Sequence, residues 1–192
     1  MYKNILYQIS KYIALTSPEK EEFTGILQGY SLKKKEFLIE AGQLVKNQYY
    51  VVKGCLNAYY LDELGNKHIL QFAIEDWWIS DFQAFFDGSP AQLFVEAIED
   101  SVLLGISNDA LETLFFRIPK FERFFRIITT KAFVSLRVRV LSFLQNSGTE
   151  RYIEFCTTYP KIEERITNYQ IANYLGIQPE SLSRIRKEVA NS

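Results

Sequence analysis

The chain has 192 residues, of which 47% are hydrophobic and 15% aromatic, enough to pack one large unit or two small ones and too much for extensive disorder. A net charge of −1 excludes a uniformly basic polyanion binder. Cys55 and Cys156 lie far apart with no paired spacing, which suggests neither a disulfide framework nor a zinc or iron–sulfur site.

The charge is unevenly placed. Residues 1–116 hold 9 Lys+Arg against 16 Asp+Glu, whereas residues 117–192 hold 13 against 7. The C-terminal part is the cationic one, and its excess falls mainly between Arg117 and Arg139, since residues 147–192 hold 6 of each sign. The opening residues, Met1 to Ile5, carry no long apolar run, and no stretch is apolar for long enough to cross a bilayer. A reducing cytoplasm is the expected location, with no membrane partner.

Taken in order, residues 1–30 read as helical. Ile5, Leu6, Ile9, Tyr12 and Ile13 form an apolar stripe, and Ser17-Pro18-Glu19-Lys20 reads as a cap and first turn. Phe23, Ile26 and Leu27 carry the second helix on to Gly29, and Lys33-Lys34-Lys35 reads as a solvated strand edge. From 36 to about 107 short β-rich runs follow, at 37–39, 49–52, 56–61, 68–73 and 102–106, with Gly42, Gly54 and Gly65 at the corners. Evenly spaced strands without crossover helices predict a small antiparallel barrel or jelly roll and disfavour a Rossmann-type sheet.

A helix is expected over 108–117. A long helix free of Gly and Pro then runs from Phe121 to about Gln145, with apolar positions that include Phe121, Phe124, Phe125, Ile128, Val134, Val138, Leu141 and Leu144. Lys131 and Ser135 break its heptads, yet a helix this long, apolar along one stripe, predicts a homodimer seam. Asn146-Ser147-Gly148 is the linker signal, and a helix over 150–159 ends at Pro160.

Residues 168–187 read as two short helices around a tight turn. Ile171, Leu175, Ile177, Leu182 and Ile185 supply the apolar positions, Ala172 the small residue at the crossing, and Gly176 a turn residue tolerant of positive φ. Pro179 suits the first turn of the second helix, on which Glu180, Ser181, Arg184 and Lys187 point outward. This is the pattern of a helix-turn-helix whose second helix enters a DNA major groove. After it too few residues remain to build a wing hairpin. There is no Gly-rich phosphate loop and no metal-ligand cluster, and His68 has no evident nucleophile partner, so neither an enzyme nor a cofactor is expected.

A glycine-cornered β-roll, a long connecting helix and a C-terminal helix-turn-helix together resemble the Crp/Fnr superfamily of bacterial transcription regulators. The resemblance is strongest in Ile171-Ala172-Asn173-Tyr174-Leu175-Gly176-Ile177 and Pro179-Glu180-Ser181-Leu182-Ser183-Arg184-Ile185, and looser in Glu40-Ala41-Gly42, Val52-Lys53-Gly54 and 77–97. It implies an α+β fold: an N-terminal antiparallel β-roll with flanking helices, a long dimerisation helix, and a C-terminal helix-turn-helix without an evident wing. The expected divisions are 1–117 for a cyclic-nucleotide-binding-like sensor, 118–146 for the connecting helix and 147–192 for the DNA-binding part. The implied partners are a near-palindromic DNA operator and a second copy of the chain, with RNA polymerase and a small-molecule effector as further candidates.

The family reads base edges with a glutamate and an arginine four residues on, and Glu180 and Arg184 fall on those places. A carboxylate accepts from cytosine N4, and a guanidinium donates two bonds to guanine. Pro179 stands where many members carry a further arginine, so sequence preference is expected to differ. Thr167, Asn168 and Tyr169 open the first helix and are candidates for phosphate contacts, with Thr167 equally readable as an N-cap. In members that bind cyclic nucleotides a glycine, a glutamate and an arginine hold the ligand; their places here are Ser80, Asp81 and Ala91. Without that arginine an anion would be desolvated uncompensated, and Glu75, Asp76 and Asp87 add negative charge, so cyclic AMP is not expected to bind in the usual way. Trp77, Trp78, Phe82, Phe85 and Phe86 could line a pocket, with Trp78, Phe82 and the three cassette places as candidate lining, but a core filled by these rings is the favoured reading. The alternative function is a small-molecule-binding or protein-interaction roll with a vestigial helix-turn-helix.

Overall fold

The computed structural model describes residues 1–190, and the chain divides into two compact units: Met1–Ala58 with Phe72–Thr130, and Tyr59–Gln71 with 131–190. Two short helices open the first unit, α1 (Lys3–Ser10) and α2 (Ser17–Gly25). The cap of α2 is Thr16, whose hydroxyl accepts from the Glu19 amide while the Glu19 carboxylate accepts from the Thr16 amide at 2.7 Å.

The helix expected to reach Gly29 stops at Gly25. Residues 28–32 are instead strand β1 (Gln28–Leu32), paired antiparallel along its length with β8 (Ser101–Ser107). Between them in sequence lie β2 (Phe37–Ile39), β3 (Asn47–Lys53), β4 (Leu56–Leu61), β5 (Lys67–Ala73), β6 (Trp78–Ile79), α3 (Phe82–Asp87) and β7 (Phe94–Ala97). The strands form two four-stranded sheets, ordered β1-β8-β3-β6 and β2-β7-β4-β5. The lysine run 33–35 is the turn leaving β1, where Lys33 meets Asp100 at 2.9 Å.

The strand sequences read as near-continuous apolar runs because the first sheet is covered on both faces. Tyr49, Val51 and Leu103 point into one cluster with Ile39, Leu56 and Val95 of the second sheet. Their neighbours Tyr50, Leu104 and Ile106 point the other way, into a second cluster with Ile5, Ile9, Phe23 and the helices that come after β8. Those helices are α4 (Asn108–Arg117), capped by Ser107, and α5 (Lys120–Gln145). Phe121, Phe124 and Phe125 of α5 are buried in that cluster, and Phe121 stacks on Phe23 with centroids 4.8 Å apart.

The second unit begins on α5 at Lys131 and adds α6 (Gly148–Thr158), α7 (Pro160–Glu163), α8 (Asn168–Leu175) and α9 (Pro179–Ala190). Tyr59–Gln71, the outer part of the β4–β5 hairpin, belongs to it as well. Most of α5 beyond residue 130 is uncovered, with Phe133 61%, Leu136 58% and Leu144 77% exposed. An α+β fold of roll, long helix and helix-turn-helix is therefore the architecture of the chain. The expectation about a wing falls on the positions beyond Ala190 and lies outside the described residues.

Candidate nucleic-acid interface and sensor site

The helix-turn-helix is built by local chemistry. Thr167 caps α8: its hydroxyl accepts from the Gln170 amide at 3.3 Å, and the Gln170 carbonyl accepts from the Thr167 amide at 2.9 Å. At the other end Gly176 takes φ +63°, letting the Gly176 amide donate to Asn173 O and the Ile177 amide to Ala172 O. Any side chain there would also press on Phe143, since a Cβ would stand 2.7 Å from its Cε1. Ile171, Ala172, Leu175, Leu182 and Ile185 are all buried where the two helices meet, and Ile177 is half-buried.

With that seam inward, α9 turns Glu180, Arg184 and Lys187 to solvent, and Ser181 is half-buried. Glu180 and Arg184 share one face of α9 through their four-residue spacing. Arg184, Ser181 and Gln178 border an open concavity of about 490 Å³ with Thr149 at the start of α6. Tyr169 is exposed at the opening of α8, and Asn168 is exposed beside it.

Two arginines that sequence pattern did not single out organise this unit from behind. Arg186 donates to Glu163 Oε1 at 2.7 Å and to Asn168 Oδ1, so the Asn168 carbonyl is committed and its amide hydrogens are what it can offer a phosphate. Arg151 donates to Leu175 O at 3.1 Å and Asn146 O at 2.8 Å, satisfying carbonyls at the ends of α8 and α5. Both are basic residues on helices, and nothing in their spacing separates them from solvated lysines and arginines elsewhere.

In the roll, the structure brings the three cassette places together and fills the centre from within. Asp81, 3% exposed, caps α3: its Oδ1 accepts from the Ala84 amide at 3.2 Å. Its Oδ2 accepts from the amides of Gln92 at 2.8 Å and Leu93 at 3.1 Å. Ser80 is buried and donates to Asn47 O at 3.0 Å. Ala91 is buried, its amide donating to Gln43 O and its carbonyl accepting from Gly42 N, both at 2.8 Å. A carboxylate thus occupies a seat of three backbone N–H groups beside a buried methyl where the resemblance places an arginine.

Of the five side chains of the aromatic block, Phe85 alone is buried, and Trp77 is half-buried. Trp78 packs edge-on against Tyr50 and Phe125, each at 5.5 Å, Phe82 is half-buried and Phe86 is exposed. The nearby acids are also engaged: Asp76 accepts from the Tyr50 hydroxyl at 2.5 Å and from Gln8 Nε2 at 2.8 Å, and Glu75 accepts from the Gly54 amide at 2.8 Å. Burial, reinforced by the Asp76 bond, pushes the Tyr50 phenol well above its ordinary range. His68 sits on the β4–β5 hairpin with Nε2 2.9 Å from Asp62 Oδ2. The bond with His68, together with Asn66, holds the Asp62 carboxyl well below the usual carboxylate range. Among the described residues no three His, Cys, Asp or Glu side chains are placed to hold a metal ion, and no helix is long and apolar enough to cross a membrane.

Residues 30–117 match the model of the cyclic nucleotide-binding domain family. Over 186 residues the chain is 24% identical to electron transport regulator A of Shewanella oneidensis, covering 89% of this chain and 72% of that protein. In structure it is similar to the c-di-GMP-responsive global regulator CLP of Xanthomonas campestris, with TM-score 0.73, 15% identity and 92% of each chain covered. It is equally similar to FixK2 of Bradyrhizobium japonicum, with TM-score 0.73, 19% identity, and 86% of this chain and 85% of that one covered. The similar proteins are regulators, and the expectation that the chain is not an enzyme agrees with them. The roll, the long helix and the helix-turn-helix follow one another along the chain in the order expected of the Crp/Fnr superfamily of transcription regulators, whose members it is similar to over most of its length.

Proposed function

We propose that the chain is a sequence-specific DNA-binding regulator that works as a homodimer and is not controlled by cyclic AMP through the family's usual cassette. One observation carries the DNA-binding reading: Ile171, Ala172, Leu175, Leu182 and Ile185 are buried between α8 and α9 while Glu180 and Arg184 stand exposed, four residues apart, on the outward face of α9. Arg184 donates to a guanine edge and Glu180 accepts from cytosine N4, while Thr167, Asn168, Tyr169, Ser181 and Lys187 face the phosphates on either side. Thr167 contributes chiefly through the helix end it caps, because its hydroxyl is held by Gln170. Dimerisation is supported by Val134, Val138 and Leu141, which repeat at helical spacing on α5 and are 51%, 49% and 43% exposed. Two copies joined there read a near-palindrome with half-sites about one helical turn apart. RNA polymerase contact and a cytoplasmic location belong to the same reading.

Arg184→Ala tests the reading head. Selection over random duplex with the unaltered protein should yield a near-palindromic site, and the substitution should cost on the order of 1–3 kcal/mol at one base position per half-site. Absence of any specific binding at low salt, or a monomeric mass by light scattering, counts against the proposal. For the roll, calorimetry with cyclic AMP should show no micromolar binding. The Asp81 carboxylate already holds the Gln92 and Leu93 amides, and an incoming phosphate would meet a buried like charge. Micromolar binding by the unaltered protein would overturn that part.

A further inference from the structure

We propose that the β4–β5 hairpin is the strut that fixes the helix-turn-helix on α5, with Asn173 and Arg139 as its positioning residues. The proposal rests on the DNA-binding reading above and adds to it what sets the distance between two reading heads. All the groups involved belong to the second unit.

β5 lies at the end of its sheet, so the outer edge of the strand offers backbone groups with no neighbouring strand to take them. Asn173, on α8, takes them as a strand would. Its Oδ1 accepts from the Ile69 amide at 2.7 Å, and its Nδ2 donates to Lys67 O. Residues 67 and 69 are two apart, so these groups share one edge of the strand. Arg139, on α5, takes the Ile69 carbonyl as well: Nη2 donates to Ile69 O at 3.0 Å, while Nη1 donates to the next carbonyl, Leu70 O. The same guanidinium donates from Nη2 to Tyr174 O at 3.0 Å and lies 3.8 Å over the Tyr174 ring. One arginine therefore ties the hairpin, the long helix and the first helix of the reading motif at a single point.

The chemistry suits positioning better than occlusion. The bonds use the Asn173–Tyr174 side of α8, while Glu180 and Arg184 on α9 stay exposed. A planar guanidinium stacked on a ring and bonded to three carbonyls fixes orientation in a way a lysine cannot. Burial is the chief influence on the Tyr174 phenol, pushing it up to about 12 despite the adjacent Arg139 charge, as befits a ring closed in by its neighbours.

The test uses the full chain, with Asn173→Ala and Arg139→Gln, and the milder Asn173→Ser should either variant fail to fold. Operator duplexes that differ only in the spacer between half-sites are compared by affinity. The unaltered protein should prefer one spacer, and the variants should lose about tenfold of that preference while their half-site base preference stays unchanged. A variant whose affinity falls equally for every spacer shows a merely structural role and overturns the proposal. Hydrogen exchange at the Ile69 amide is the second readout: protected in the unaltered protein, released in Asn173→Ala. Unchanged protection there would overturn the strut even if the unaltered protein bound no DNA, which separates this failure from failure of the DNA-binding reading.

Discussion

Replacing Phe121 with alanine is expected to cost the first unit about 3–5 kcal/mol, the usual toll for emptying a fully buried aromatic site. Phe121 has no exposed surface, stacks on Phe23, and occupies the first turn of α5. A void there has little prospect of collapse, because its walls come from elements that are fixed independently. α2 is held by the Thr16–Glu19 cap, and Lys120 at the start of α5 bonds Glu19 at 2.8 Å. Denaturant unfolding followed by tryptophan fluorescence reports the first unit alone, since Trp77 and Trp78 are the chain's two tryptophans and both lie in it. A loss under about 1 kcal/mol would mean that Phe121 does not seat the helix as described.

Gly54→Ala should be comparably damaging for a different reason. Gly54 turns the chain between β3 and β4 with φ +114°, a conformation costing a side-chain-bearing residue about 1–3 kcal/mol. Its Cβ would stand 2.1 Å from Ser101 Oγ and 2.7 Å from Ser101 Cα, and the second of these is backbone at the start of β8. Forced repacking adds about 1–3 kcal/mol more. Ser101→Gly in the same chain removes the Oγ and Cβ clashes but leaves the backbone clash and the dihedral. The double variant should therefore recover only part of the loss, a coupling that a double-mutant cycle reads directly. Full recovery would show that the φ angle and the backbone clash carry no cost.

The reading motif was legible because its determinants are local. Gly176, Pro179 and the apolar positions from Ile171 to Ile185 each act on a neighbour a few residues away, and spacing alone places them. The strands β3, β4, β5 and β8 were legible for the same reason, being dense in β-branched and aromatic residues. Gln28–Leu32 was not, because Gly29 and Ser31 favour no strand and Phe23, Ile26 and Leu27 prolong a helical rhythm; only pairing with β8, some 70 residues on, makes it a strand. Trp78–Ile79 is two residues long, and Phe94–Ala97 mixes Phe94 and Val95 with Glu96 and Ala97, which favour no strand. The partners of Asn173 lie more than 100 residues back in the chain, and those of Asp81 include amides 11 and 12 residues on. In both cases the residue was visible and its role was not, since backbone donors and acceptors leave no mark on the residue types that carry them.

The carboxylate seated on the amides of Ala84, Gln92 and Leu93 has one further consequence. A dissolved ligand leaves its seat when its concentration falls, and the fraction of seats filled reports that concentration. A side chain on the same backbone is always at hand, at an effective concentration set by the fold rather than by the surroundings. On the proposed reading, this seat carries no message about the cell's metabolites. On the same reading, the pairing of two copies along α5 makes the regulator answer to its own concentration through mass action.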